Sequence, residues 1–273
     1  MIRICRPIIL HSQKTLLLSA ILLFFWQFVP HHFVAASHAN NYGVNSNIPL
    51  VQNASSIHPE NLTCEYLIDP VGLDVERPRF SWTLSATFPD SYGQRQTAYQ
   101  IWVSSSWELL EDGKGDMWNS GWVSSDQMQL IEYEGKSLQS NKTYYWKVAV
   151  KDERGDVSDT SEIAKWSTGL FSQEEWTARW IGTDEAYDPA EGPNKMQDPW
   201  FRKTFKLRKK PAQATLFVAS VGYHEVYVNG QRIGDHVLAP AVTDHTQRAR
   251  YIAYDIAPAL TSGENVVALW LGT

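Results

Sequence analysis

Apolar and polar side chains alternate with a period of two over most of the chain beyond residue 60, the mark of strands with one buried and one wet face. Tyr144–Lys151 shows it most clearly. Tyr144, Trp146, Val148 and Val150 share one face; Tyr145, Lys147, Ala149 and Lys151 share the other. Leu62–Leu67, Arg79–Leu84, Ala98–Ser104 and Ile163–Thr168 read the same way. Pro70, Pro78 and Pro89 punctuate the early strands, where a missing amide donor suits edges and turns. Asp152-Glu153-Arg154-Gly155-Asp156 reads as a turn. Short strands at this spacing predict a β-sandwich over residues 61–171.

A second set of strands begins at Trp200. Trp200–Leu207 and Ala214–Ser220 read as strands, and Tyr223–Val228 alternates. Asn229-Gly230 then supplies the two positive-φ residues of a tight type I′ hairpin. Gly263-Glu264-Asn265 turns into Val266–Leu271, whose nearly continuous apolar side chains suggest a strand covered on both faces. The pattern predicts a jelly-roll-like sandwich over 200–273, expected to be incomplete at its C-terminal end. Residues 172–199 form the linker between the modules, with Trp176 and Trp180 first and a loop rich in Asp, Pro and Gly from Thr183 to Pro199. The fold class expected is therefore all-β: two tandem β-sandwiches.

The first 60 residues break the pattern. Arg3, Arg6 and Lys14 precede an apolar run from Leu16 to Val29, followed by Ser37-His38-Ala39. That order is that of a secretory signal peptide over residues 1–39, cleaved after Ala39. The run falls short of the roughly 20 residues a membrane span needs, so no stable membrane insertion is expected once the signal is removed. Residues 40–60 are polar, rich in Asn and Ser, and read as a flexible leader. The expected destination is the periplasm or the medium.

Composition sharpens this in three places. The 12 Trp residues are far above ordinary usage and divide between sandwich core and flat platforms suited to sugar rings. A net charge of −6, more negative still without the basic signal region, argues against nucleic acid as a partner. Of the two cysteines, Cys5 and Cys64, the first leaves with the signal, so no internal disulfide is expected and Cys64 reads as a small inward-facing apolar side chain.

The order of motifs carries a resemblance. Y-Y-W-K-V-A-V-K-D-E-R-G-D from Tyr144, followed by K-W-S-T-G from Lys165, resembles a fibronectin type III module. L-T-C-E-Y-L-I-D-P-V-G-L-D with R-P-R-F-S-W resembles the module at the front of secreted bacterial α-L-rhamnosidases of glycoside hydrolase family seventy-eight. W-T-A-R-W-I from Trp176 is similar to the join in that family. G-Y-H-E-V-Y-V-N-G from Gly222 is similar to the sandwich that follows. The resemblance covers roughly residues 61–273. It implies a non-catalytic N-terminal part of an enzyme that releases L-rhamnose from glycans or glycosides, with the acid–base carboxylates on a separate α/α barrel.

No catalytic residue is expected within this chain. Glu225, Asp235, Asp244, Asp255 and Glu264 are present, but their spacing pairs none of them as glycoside hydrolysis requires. His224, His236 and His245 match no metal-ligand spacing, and neither a G-x-S-x-G elbow nor a nucleotide-binding loop occurs, so no metal or cofactor is expected. The candidate binding surface joins Tyr223 and Glu225, which share a strand face with Tyr227, to Asp244, His245 and Arg248 on the loop Ala239–Arg250. Carboxylate, imidazole and guanidinium groups bond vicinal hydroxyls while a ring packs on the sugar face. The family pattern has Gly-Trp before the Thr-Asp of this loop and Tyr after it; here Ala241-Val242 and His245 stand there. The expected partner is a rhamnose-containing carbohydrate. Other readings are a stand-alone carbohydrate-binding or adhesion protein, a structural spacer, and the front of a family two glycosidase. The module ahead of the jelly roll disfavours the last.

Overall fold

The computed structural model describes residues 2–4, 54–88, 92–182 and 198–272. Most of the expected signal segment, residues 40–53 of the expected leader, and most of the loop from Thr183 to Pro199 lie outside the described residues.

Strand β1 (Ile2–Ile4) comes first in sequence but pairs within the second sandwich. The first sandwich opens with β2 (Ile57–Cys64) and β3 (Arg79–Ala86), antiparallel, with a shift of register between Glu60 and Thr63. β4 (Ala98–Ser104) begins the other sheet. A short helix, α1 (Trp107–Glu111), follows; its Ser106 cap accepts a hydrogen bond from the Leu109 amide. The brief strands β5 (Trp118–Asn119), β6 (Val123–Ser124) and β7 (Ile131–Glu132) lead to β8 (Thr143–Lys151) and β9 (Ala164–Ser167). One sheet runs β2-β3-β7; the other runs β5-β4-β8-β9, with β6 also paired to β4.

The alternation of β8 behaves as the pattern requires: Tyr144, Trp146, Val148 and Val150 are all buried. They meet Phe80, Trp82, Ile101, Val103, Tyr133 and Trp166 in one core, in which the Phe80 and Trp146 rings lie 4.4 Å apart. Cys64 is buried in the same core, and burial pushes its thiol pKa upward.

This module starts earlier than the expected boundary at residue 61. β2 begins at Ile57, inside the stretch read as leader, and Ser55 and Ser56 are already buried. The reason is Asp152. Its fully buried carboxylate accepts the amides of Ser56, Arg154 and Asp156, stitching the entering chain to the 152–156 turn. Burial alone would raise the Asp152 pKa. The donors from Ser56, Arg154 and Asp156 outweigh it and hold the carboxyl at about 2.

Beyond a single turn of tight helix at Gln173–Glu175, β10 (Trp180–Ile181) turns part of the expected linker into an edge strand. β11 (Trp200–Leu207), β12 (Thr215–Ser220), β13 (Tyr223–Val228), β14 (Gln231–Ile233), β15 (Tyr251–Asp255) and β16 (Gly263–Gly272) build the second sandwich. Its sheets run β10-β1-β12-β15 and β11-β16-β13-β14. The hairpin falls where expected: Val228 pairs with Gln231, and Asn229 and Gly230 take φ of 51° and 83°. Asn229 also binds back. Its Oδ1 accepts the Val266 amide and its Nδ2 donates to Asn265, which is fully buried.

β16 is central in its sheet, between β11 and β13, and among the described residues its inner face is the more closely covered. Leu269 and Leu271 are buried, while Trp270 looks outward and stacks on Trp200 at 4.8 Å. Its continuous apolar run thus puts half of its side chains on the outer sheet face.

The two sandwiches meet closely. Leu73 bridges to Thr168 at the base of the first module, and the Leu170 amide donates to the Tyr251 hydroxyl of the second at 3.2 Å. Gly72, at φ 77°, leaves no room for a side chain, because a Cβ there would overlap that of Ala253.

Candidate carbohydrate-binding groove

The join and the loop between β14 and β15 form an open groove of about 410 Å³. Trp176 and Trp180 come from the join, Ala219 from the end of β12, and Tyr251 from β15. The Trp176 ring packs edge-on to Tyr251 at 5.2 Å and to Phe217 at 6.4 Å, so one wall is a braced aromatic cluster. The other wall is the loop from His245 to Ala249.

His245 and Arg248 line the groove, whereas Tyr223 and Glu225 are not among its lining residues. Asp244 shapes the loop. Its carboxylate accepts the Thr246 amide at 3.0 Å and the Thr246 hydroxyl at 2.6 Å, and its carbonyl accepts the amides of Gln247 and Arg248. Those Thr246 donors hold its pKa below the usual carboxylate range. Thr243 donates to the Arg248 carbonyl at 2.9 Å. The loop is therefore a self-bonded turn that presents the Arg248 and His245 side chains to the groove.

Tyr223 and Glu225 lie on the outer face of the opposite sheet, with Tyr227, as the alternation of β13 implies. Glu225 is committed locally: it accepts the Tyr227 hydroxyl at 2.6 Å and pairs with Arg232 at 3.1 Å. The five candidate side chains thus fall into two groups. Sequence reasoning missed the contribution of Trp176, Trp180 and Tyr251 to the groove. The join motif pointed to the two tryptophans, but nothing local in sequence brings β15 beside them.

His224 and His236, unlike His245, are structural in kind. His224 is buried between Ser220, 2.8 Å from its Nδ1, and Tyr254, 3.0 Å from its Nε2. Because Ser220 Oγ already donates to the Gly222 carbonyl, Nδ1–H donates to Ser220 and Nε2 accepts from Tyr254. Burial, with a smaller effect of His236, lowers the His224 pKa to about 4, so the ring is neutral. His224 and His236 both pack edge-on to Tyr254 at 5.8 Å. Among the described residues no cluster of His, Cys, Asp and Glu could hold a metal ion.

The described residues thus form two antiparallel sandwiches in series, one on each side of the join. Residues 59–172 match the Rha78A-like N-terminal immunoglobulin domain, and residues 209–273 match the α-L-rhamnosidase N-terminal domain. An α-L-rhamnosidase of Formosa agariphila is 34% identical over 220 residues, covering 75% of this chain and 23% of that protein. One from Streptomyces avermitilis is 31% identical over 231 residues, covering 79% of this chain and 22% of that protein. The structure of the α-L-rhamnosidase from Dictyoglumus thermophilum aligns with a TM-score of 0.69 at 38% identity, over 79% of this chain and 25% of that one. By these matches the chain carries the two N-terminal domains of α-L-rhamnosidases. It spans under a quarter of the length of these curated relatives.

Proposed function

We propose that this chain is the non-catalytic N-terminal part of a secreted α-L-rhamnosidase, and that it positions or helps bind rhamnose-containing glycans for hydrolysis elsewhere in the enzyme. The observation that carries this reading is the groove at the join of the two family-matched modules, where Trp180 and Tyr251 face the loop of His245 and Arg248. L-Rhamnose, a 6-deoxy sugar, offers a methyl group and C–H faces to the aromatic wall and vicinal hydroxyls to the guanidinium and imidazole. Three carboxylates of the second sandwich are engaged locally, which supports an accessory role. Glu225 is bound to Tyr227 and Arg232, Asp244 to Thr246, and Asp255 accepts the Ala257 amide. Secretion follows from the N-terminal segment. Among the described residues no helix is long and apolar enough to cross a membrane.

The test is a pair of assays on residues 40–273. Nitrophenyl α-L-rhamnoside should not be hydrolysed above a mock preparation, while titration with rhamnose-containing oligosaccharides should give saturable binding that weakens at least tenfold in Arg248→Ala. Hydrolysis by this fragment would overturn the accessory reading. Binding unchanged in Arg248→Ala and in Trp180→Ala would remove the groove from it.

A further inference from the structure

The first sandwich holds a concavity that shares no residue with the groove. It opens between the edges of the two sheets, with β5 and β6 on one side and β7 on the other. Its volume is about 420 Å³, within the range of roughly 300–1,000 Å³ typical of small-molecule sites. Trp118 and Tyr99 give it an aromatic floor, and Asn119, Gln127, Glu132 and Glu134 bring polar groups to it. Phe80 at 6.4 Å and Tyr133 at 5.5 Å brace the Trp118 ring. Tyr99 is only 7% exposed, yet its hydroxyl makes no hydrogen bond among the described residues. A buried phenol ordinarily has a partner. The Tyr99 hydroxyl is still reached by solvent, and the concavity that its residue lines is where a partner can enter. Burial, with a smaller effect of Glu134, raises its pKa, so the phenol stays protonated and able to donate. The rim is held from beneath. Buried Gln96 accepts Trp82 Nε1 at 3.0 Å and donates to the carbonyls of Ser125 and Gln127 at 3.1 and 2.9 Å. Leu130, at a φ of 57° that leucine seldom adopts, is fixed by its amide, which donates to Ser81 Oγ at 2.9 Å. The loop 125–130 is thus set in place in advance, which lowers the ordering cost of binding.

We propose that this concavity is a second binding site of the chain, for an uncharged pyranose whose ring packs on Trp118 while Tyr99, Gln127 and the rim carboxylates bond its vicinal hydroxyls. The site stands apart from the groove at the join and does not rest on it. Charge selects the ligand. Glu132 and Glu134 line the concavity, and among the described residues no Lys, Arg or His does. Arg77, outside the lining, is already engaged: it pairs with Glu132 at 2.8 Å and reaches Glu134 at 3.8 Å. A uronate or a sulfated sugar would meet two carboxylates and no cation to receive it. A purely apolar ligand would strip water from the polar rim without replacing its hydrogen bonds. A metal ion is disfavoured as well, since among the described residues no third His, Cys, Asp or Glu joins the two carboxylates. A neutral ring with hydroxyls at its edge and C–H groups on its face meets both the floor and the rim.

The experiment titrates the full chain with methyl pyranosides of uncharged hexoses and 6-deoxyhexoses, with galacturonic acid and glucose 6-sulfate as anionic counterparts, and maps binding by hydrogen exchange. The result expected is saturable binding of at least one uncharged pyranoside, slowed exchange across residues 119–134, and no binding of either anion. Tyr99→Phe removes only the hydroxyl, and Gln127→Ala alters only an exposed side chain, so both should keep the parent melting temperature. Each should weaken binding by about fivefold, the worth of one hydrogen bond. Exchange slowed only at residues 245–251 would place binding in the groove alone and overturn the proposal. Equal binding of the anions, affinity unchanged in both variants, or no binding of any pyranoside would overturn it too. The groove is tested by Arg248→Ala with rhamnose-containing oligosaccharides, so the two sites fail separately.

Discussion

His224 shows what a single buried side chain implies for the whole domain. Its ring is fully bonded when neutral and has no room for a second proton without breaking the Tyr254 bond. The folded pKa of about 4 lies below the unfolded value near 6.5, so the unfolded state takes up the proton first as pH falls. The stability contributed by the neutral ring is complete above pH 6.5 and is lost progressively down to about pH 4. The loss amounts to roughly 3 kcal/mol over that window, at 1.36 kcal/mol per unit of pKa. Thermal melts at pH 7, 5.5 and 4 should show this decline, and His224→Gln should flatten it while melting lower at pH 7; the same pH dependence in both proteins would contradict the assignment. Trp146 makes a simpler case. It is fully buried beside Phe80, and Trp146→Ala should cost about 3–5 kcal/mol, read by chemical denaturation of the first module. The position of Trp146 was legible because β8 alternates without interruption. The bonding of His224 was not, because Ser220 and Tyr254 come from strands of the other sheet.

Among the elements, the long alternating strands were readable almost residue by residue. Ala98–Ser104 and Trp200–Leu207 stand where the pattern puts them, and Asn229-Gly230 fixed the hairpin through its own backbone preference. What escaped were elements made by their partners. β5, β6 and β7 are too short to show a period, and β10 is a strand only because β1 lies beside it. β2 reached back to Ile57 through a carboxylate nearly a hundred positions further along the chain. The join between modules is another such product, and it invites a direct test. Gly72→Ala would place a methyl group on Ala253 in a backbone conformation that L-residues avoid. Strain and overpacking together should cost about 2–4 kcal/mol. Limited proteolysis should then cut faster between residues 169 and 180 than in the parent, while the near-ultraviolet signal of the first core stays unchanged. Equal cutting rates would mean that the two sandwiches do not depend on this contact.

For the molecule as a whole, the sequence made the class plain, two β-sandwiches in series, and left open which surfaces of the second one need company. The structure identifies two. Trp200 and Trp270 stack on the outer face of β11 and β16 with Val266 and Ala268 in the same rows, and the β10–β12 slot opens if β1 is removed. An outward tryptophan pair and an unpaired edge on one module favour association. The first module gathers Phe80, Trp82, Trp146 and Trp166 in one core, and its exposed Trp107 and Trp122 rest against Tyr145 and Lys151 instead of forming an outward tryptophan pair. A protein of residues 40–273 should therefore self-associate in light scattering in a concentration-dependent way, whereas residues 54–171 should remain monomeric. Trp200→Ser with Trp270→Ser should reduce the association without abolishing it, since the edge stays open. A monodisperse monomer of residues 40–273 at high concentration would show that both surfaces are content in water, and would favour a self-sufficient binding module over a part waiting for the rest of an enzyme.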